Sequence, residues 1–356
     1  MRLAIDAMGG DEAPAAVVEG ARRFARAHPG HQVILVGDAE RVRPLTLEVG
    51  SPAPRNVIVH HASEIITFDD DAAAAIRRKK DSSLRVGLEL VRDGQAEAFI
   101  SAGHSGAVMA GALFLLGRLP GVERPAIAAL FPALRKKSRC LLVDAGANVE
   151  CRPLHLAQWA VMGDAYVRTV VGVARPRIGV LSNGEEDTKG TELTREAAAL
   201  LRKSDLEFVG YVEGKDIFSG EIDVVVTDGF TGNVVLKTAE GTAKGVVGLI
   251  KQTIDSTGLP GRVGALLLKP TLARLKKVVD YAEYGGAPLL GINGAGIVAH
   301  GRSDARAIAN ALAAALATRD VGLTEAVGAA IQRSAAWLPS RAEKKGKGAA
   351  ASPVPD

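Results

Sequence analysis

Asp223-Val-Val-Val-Thr-Asp-Gly-Phe-Thr-Gly-Asn233 is an apolar strand that stops in a small, polar, glycine-studded loop. The same transition recurs at Ala98–Ser101 into Gly103-His-Ser-Gly106 and at Leu141–Val143 into Asp144-Ala-Gly-Ala-Asn148. It occurs again at Ile178–Leu181 into Ser182-Asn-Gly-Glu-Glu186. Loops of this kind bring backbone N–H groups close to a ligand, and a following helix favours an anion at its N-terminus. Four of them on one sheet edge would form a shared pocket for a phosphate or an oxyanion, which points to an enzyme.

Around these loops, strand-like and helix-like runs alternate. Leu3–Ala7, Val33–Val36, Val57–His61 and Phe208–Val212 read as strands, while Ile297–Ala299 is more strand than helix start. Pro14–His28, Leu84–Val91, Ala107–Leu116, Leu154–Val171, Glu192–Leu201, Val234–Ile254, Asp304–Ala317 and Thr324–Trp337 read as helices. Alternation implies right-handed βαβ units, so the expected class is α/β, a Rossmann-like three-layer αβα sandwich on a mostly parallel sheet. Ligands in such sheets bind beyond the carboxyl ends of the strands. One catalytic domain over 1–338 and a disordered tail over 339–356 are expected.

The 356 residues are 47% hydrophobic, enough for a large core, and carry a formal charge of +4. Aromatic residues are only 4%, which argues against a stacking platform for nucleic acid. The positive excess clusters at Arg77-Arg-Lys-Lys80, Arg135-Lys-Lys137, Arg274 with Lys276-Lys277, and Lys344-Lys345 with Lys347. Such clusters are solvated surface, or they face an acidic partner or an anionic membrane. The two cysteines, Cys140 and Cys151, do not make a disulfide framework, so a reducing cytoplasm fits. No metal-ligand spacing, no signal-peptide run and no apolar stretch of membrane-spanning length is present.

Several segments carry candidate chemistry. Gly103-His104-Ser105-Gly106 has the strand–turn–helix setting of a hydrolase nucleophile elbow, but Ala107 stands where that pattern needs glycine. Ser105 is therefore read chiefly as a helix cap or an anion ligand, with serine-hydrolase chemistry as an alternative. In the quoted stretch, Asp228-Gly229-Phe-Thr-Gly232-Asn233 ends the strand, and Lys237, four residues past Asn233, shares a helical face with it near the start of the next helix, which suits an anion site. Gly184-Glu185-Glu186-Asp-Thr-Lys189-Gly190 fails the nucleoside triphosphate loop pattern. Gly294-Ala-Gly-Ile-Val-Ala299 fits a loose dinucleotide pattern but leads into a strand. No cofactor is expected.

The segment 258–281 interleaves Leu266, Leu267, Leu268 and Leu272 with cations that include Lys276 and Lys277. Pro270 suggests a helical hairpin broken in its middle. A mixture of apolar and cationic residues suits a helix lying on a bilayer, and equally suits a hairpin that packs on the core or on a second copy.

Taken in order, the blocks resemble the bacterial acyl-acyl carrier protein:phosphate acyltransferase family. They are Asp6-Ala-Met-Gly-Gly-Asp11, Ser101-Ala-Gly-His-Ser-Gly106, Asp144-Ala-Gly-Ala-Asn148 with Cys151-Arg-Pro153, and Gly184-Glu-Glu186 with Lys189-Gly190. Val212-Glu-Gly-Lys-Asp216, the Asp228–Asn233 block, Tyr284-Gly-Gly-Ala-Pro-Leu-Leu-Gly291 and Ala299-His-Gly301 complete the series. Departures fall at His104-Ser105, where the family often has Asn-Thr, at Glu150 for Asp, and at Lys215 for Arg.

The resemblance implies conversion of a long-chain acyl-carrier thioester and inorganic phosphate into an acyl phosphate for phospholipid synthesis. A coenzyme A-dependent phosphate acyltransferase is the nearer alternative, and a basic scaffold on membrane or nucleic acid a non-enzymatic one. Lys189 and Asn233 are the expected catalytic residues. Gly103, His104, Ser105, Asp144, Asn148, Gly184, Glu185, Asp228, Gly229, Gly232, Lys237 and His300 are the expected substrate-binding set. The implied partners are acyl carrier protein, a membrane surface with a glycerol-3-phosphate acyltransferase, and a second copy in a homodimer. The implied location is cytoplasmic and peripheral to the membrane.

Overall fold

The computed structural model describes residues 1–47, 54–135, 139–279 and 285–339. Tyr284, Lys136, Lys137 and the tail from Ser340 lie outside the described residues. In chain order the first half runs β1 (Arg2–Asp6), α1 (Ala15–Ala27), β2 (Gln32–Gly37), α2 (Ala39–Thr46), β3 (Val57–His61), α3 (Ala72–Arg78), α4 (Ser83–Arg92), β4 (Ala98–Ser101) and α5 (Ser105–Gly111). A π-helical turn, Ala112–Leu116, extends α5. The second half runs β5 (Ala126–Pro132), β6 (Arg139–Val143), α6 (Pro153–Tyr166), β7 (Arg177–Leu181), α7 (Glu192–Leu201), β8 (Glu207–Val212) and β9 (Val224–Val226). Then come α8 (Gly229–Ser256), α9 (Gly258–Val279), β10 (Ala287–Leu290), β11 (Gly296–Val298), α10 (Ala305–Asp320) and α11 (Leu323–Ser334).

The strands form one eleven-stranded sheet, ordered β3-β2-β1-β4-β11-β10-β5-β6-β9-β7-β8. Alternate side chains point to opposite faces, so the apolar strands feed cores on both sides. Leu3, Ile5, Leu35 and Ile100 pack under α1 and α10, while Leu141, Val143, Val224 and Ile178 pack under α6, α7 and α11. Ala4, Phe99, Leu142 and Val225 face the other way, toward α4, α5 and the start of α8. This is the expected α/β three-layer arrangement.

The sheet corrects one expectation. β3, β2, β1, β4 and β11 are mutually parallel, as are β6, β9, β7 and β8. Between them, β10 and β5 pair antiparallel with each other and with their outer neighbours. The two parallel halves therefore run in opposite directions. The loop after β4 leaves one end of the sheet, and those after β6, β9 and β7 leave the other. A single edge carrying all four loops does not exist.

The hairpin also differs from expectation. Its arms are α8 and α9, joined at Thr257-Gly258, and Pro270 sits inside an unbroken α9. Proline removes one backbone donor from a helix interior. The carbonyl deprived of that donor belongs to Leu266, on an exposed turn where water can substitute.

Candidate functional site

The loop after β6 is built around Asp144. Its buried carboxylate accepts N–H groups from Ile127 (3.0 Å), Gly146 (3.3 Å), Ala147 (3.1 Å) and Asn148 (2.7 Å), and the Asn148 side-chain amide at 2.9 Å. Burial pushes its pKa up, against the pull of these donors. Asn148 also donates to the Pro125 carbonyl at 2.8 Å. Both side chains are thus occupied in shaping the loop.

The start of α8 is locked to this loop. Asp228 caps the helix, accepting the Thr231 N–H at 2.9 Å and its hydroxyl at 2.7 Å. The Gly229 N–H donates to the Asn148 carbonyl at 2.8 Å. A Cβ on Gly229 would lie 2.5 Å from that oxygen, and one on Gly232 would lie 1.8 Å from the Asp144 carbonyl oxygen. Only glycine permits this approach of two backbones. It brings Asn233 against Gly146, where a Cβ on the glycine would be 3.2 Å from the Asn233 Cβ. The partly buried Asn233 amide makes no hydrogen bond among the described residues. It is a donor held in place by its backbone and left open to a ligand.

β9 lies between β6 and β7, so the loop after β7 leaves the same end of the sheet. Asn183 holds that loop by accepting the Gly190 N–H at 3.0 Å, and the Lys189 side chain is exposed. Gly184 gives passage to the Lys189 stem, since a Cβ there would meet Lys189 Cγ at 2.9 Å. Glu185 pairs with Lys215 at 3.2 Å.

The opposite sheet end carries a second group. The fully buried Asp6 accepts the Met8 N–H at 3.1 Å and the Ser101 hydroxyl at 2.8 Å, and Ser101 Oγ in turn accepts the Gly103 N–H at 3.0 Å. Burial pushes the Asp6 pKa up, opposed by hydrogen bonds from Ser83, Ser101, Met8 and Gly9. Here His104, not Ser105, caps α5, accepting the Ala107 N–H at 3.4 Å and stacking on Phe68. Ser105 opens the helix with an exposed side chain.

α8 joins the two groups. His300 Nδ1 accepts the Arg302 N–H at 3.1 Å, and its Nε2 faces Glu240 Oε2 at 3.4 Å. Burial works against the Glu240 charge, but the His300 hydrogen bond and the His300, Lys244 and Lys237 charges bring its pKa below the usual carboxylate value. Asn233 and Glu240 are seven residues apart, about 10 Å along the helix. A twist of about 20° per strand pair also turns the sheet through roughly 100° over the five steps from β4 to β9. The first three turns of α8 thus border both loop groups, with Lys237 exposed between them. Glu240, Phe68 and Asp6 were not singled out as site residues. Asp6 ends an apolar strand before Gly9-Gly10, the signal that marked the other loops.

A polar cluster ties the segment before β5 to the start of α6. Glu123 pairs with Arg152, and His155 Nε2 lies 3.3 Å from Glu123 Oε2. Burial first, then the Arg152 and Arg124 charges, push the His155 pKa down to about 4 against the pull of Glu123. An unfolded histidine titrates near 6.5, so below that pH the unfolded chain takes up a proton that the folded one refuses. Stability should fall as pH drops from 6.5 toward 4, and His155→Gln should flatten that fall in thermal melts across the window.

This three-layer fold is that of the phosphotransacetylases. A phosphotransacetylase from Streptococcus pyogenes superposes with a TM-score of 0.60 at 20% identity, covering 90% of this chain and 93% of that one. A branched-chain phosphotransacylase from Enterococcus faecalis V583 gives 0.51 at 14% identity, with 90% and 99% covered. The family described as "Fatty acid synthesis protein" matches residues 1–325. A phosphate acyltransferase of Myxococcus xanthus (strain DK1622) is 66% identical, with 100% of each chain covered. One from Geobacter sulfurreducens is 53% identical, covering 88% of this chain and 89% of that one. The chain belongs to the phosphate acyltransferase family and is an acyltransferase. Among the described residues, no helix is long and apolar enough to cross a membrane.

Proposed function

We propose that the chain transfers a long-chain acyl group from an acyl-carrier-protein thioester to inorganic phosphate, releasing an acyl phosphate and the carrier thiol. The observation that supports this most is the joint between the Asp144 loop and α8, which presents the Asn233 amide beside bare backbone. Phosphate is partly dianionic at neutral pH and a thiolate leaves readily, so neither a strong base nor a strong acid is demanded. The site needs to hold the anion against the carbonyl and stabilise the oxyanion that forms. Asn233 serves the oxyanion; Lys189 and the loop N–H groups serve phosphate. Asp144, Asn148 and Asp228 shape the loops, while Lys237, His300 and the Gly103–Ser105 turn border the remaining substrate. Attack is direct, with no acyl-enzyme.

Purified protein given palmitoyl-carrier protein should release carrier thiol only when phosphate is present. Release without phosphate contradicts the reading. The shared phosphotransacetylase fold supports one alternative, a short-chain coenzyme A donor, and efficient turnover of acetyl-coenzyme A would favour it. Ser105→Ala should retain most activity; its abolition would favour the hydrolase reading.

A membrane role for the hairpin belongs to the same proposal, because a long-chain acyl phosphate is poorly water-soluble and suits delivery to a membrane glycerol-3-phosphate acyltransferase. Leu266, Leu267 and Leu268 are 69%, 77% and 55% exposed. Successive residues turn by about 100°, so these leucines point around α9 rather than onto one neighbour. Leu272, Lys276 and Lys277 belong to α9 by backbone, and their side chains lie outside the described residues. Leu266→Glu with Leu268→Glu should release the protein from anionic vesicles in flotation; unchanged flotation leaves the hairpin to a second copy in a homodimer.

A further inference from the structure

We infer that the lysine-bearing side of α8 is the docking surface for the acidic protein that carries the acyl thioester, an assignment that rests on the reaction proposed above. Lys237, Lys244 and Lys251 recur every seven residues and are all exposed. Seven residues are close to two helical turns, so the three ammonium groups align. Asn233 begins the same line: Lys237 follows it by four residues, and Lys251 follows it by eighteen, or five turns, about 27 Å along the axis. The cationic row thus starts at the candidate site and leads away from it.

By formal charge the three lysines exceed the two acids of α8, Glu240 and Asp255, although the Lys237 and Lys244 charges also act on Glu240. Glu240 is turned to His300, and Asp255 stands a turn beyond Lys251. Beside the row, Gly241, Gly245 and Gly248 leave open space, since a Cβ on any of them would meet nothing within 4 Å. That bare flank lets a thin thioester tether lie close to the helix between the docked carrier and Asn233. Two of the exposed apolar residues of the same helix point elsewhere. Val246 lies two residues from Lys244, and Leu249 two from Lys251, which is about 200° around the helix. A bilayer-facing helix would set its lysines at the borders of its apolar face. Here Lys244 and Lys251 stand opposite Val246 and Leu249, on the side of the site, with Val247 on the lysine side between them. Complementary charge there would steer an acidic carrier into register with the site.

The test is steady-state kinetics of the full-length Lys244→Glu, Lys251→Glu variant with palmitoyl-carrier protein and phosphate, at low and physiological salt. Lys237 is left intact because it borders the site, and both substitutions are on exposed helix positions. The KM for the carrier substrate should rise by about tenfold with kcat little changed, and its salt dependence should flatten. With palmitoyl-pantetheine, which has no protein surface, the variant should match the wild type. An unchanged carrier KM overturns the assignment, as does an equal loss with both donors. Loss of vesicle flotation with unchanged carrier KM would give the lysines to a membrane, and a shift in oligomeric state would give them to a second copy; either overturns it. A wild-type protein that releases no phosphate-dependent thiol would instead refute the proposed reaction, and this assignment with it.

Discussion

Asn233→Ala is expected to lower kcat by two to three orders of magnitude, about 2.7–4 kcal/mol of transition-state stabilisation, while the protein keeps its fold. The partly buried side chain makes no hydrogen bond among the described residues, so its truncation leaves no partner group unpaired. Stability should change by less than about 0.5 kcal/mol. In the proposed reaction, what is lost is a donor fixed next to Gly146, serving the carbonyl oxygen on which charge would develop. KM for either substrate should move far less than kcat, because the oxyanion exists only in the transition state. Kinetics and thermal melts on the same sample check this. A lowered melting point with preserved kcat would make Asn233 a packing residue.

Gly232→Ala should have the largest effect on stability, about 3 kcal/mol, and should abolish activity with it. The added methyl would lie 1.8 Å from the Asp144 carbonyl oxygen. Neither side can yield cheaply. The Gly232 N–H bonds Asp228 in the first turn of α8, the Asp144 N–H bonds Thr227 at 3.1 Å, and the Asp144 carboxylate holds the loop's own N–H groups. Gly245→Ala is the control. It lies in the same helix with open space around it, and should gain about 0.5–1 kcal/mol from helix propensity alone. Urea midpoints of the pair separate a steric joint from a general preference for alanine. Equal behaviour of the two variants would remove the joint from the account.

The contrast between those two glycines also shows what the sequence could and could not reveal. β4, β6, β7 and β9 were legible because each is an apolar run that ends abruptly, and α1, α4 and α7 because their apolar spacing is helical. The start of α8 was placed at Val234 instead of Gly229, since Gly229 and Gly232 read as loop. They are glycine because another backbone presses on them, a reason that exists only in three dimensions. β5 and β10 went unrecognised. The alanine-rich β5 ends in Pro132, and β10 has only four residues after Gly285-Gly286, so both carry weak strand signals. Those two strands reverse the sheet, which is why a single loop-bearing edge was expected. The Asp228 cap and the Asn233–Lys237 face were local patterns and could be read. That Asp144 spends its charge on its own loop, and that Glu240 meets His300, depends on chain segments far apart in sequence.

The most direct test of the account is a single-turnover reaction of the wild type and Asn233→Ala with palmitoyl-carrier protein and radiolabelled phosphate, quenched at short times. The account predicts label in a hydroxylamine-sensitive lipid product, formed in step with carrier thiol, in the wild type, and the same product at least a hundredfold more slowly in the variant. Thiol appearing before the labelled product, with palmitate attached to the protein, would contradict it, as would equal rates in the two proteins.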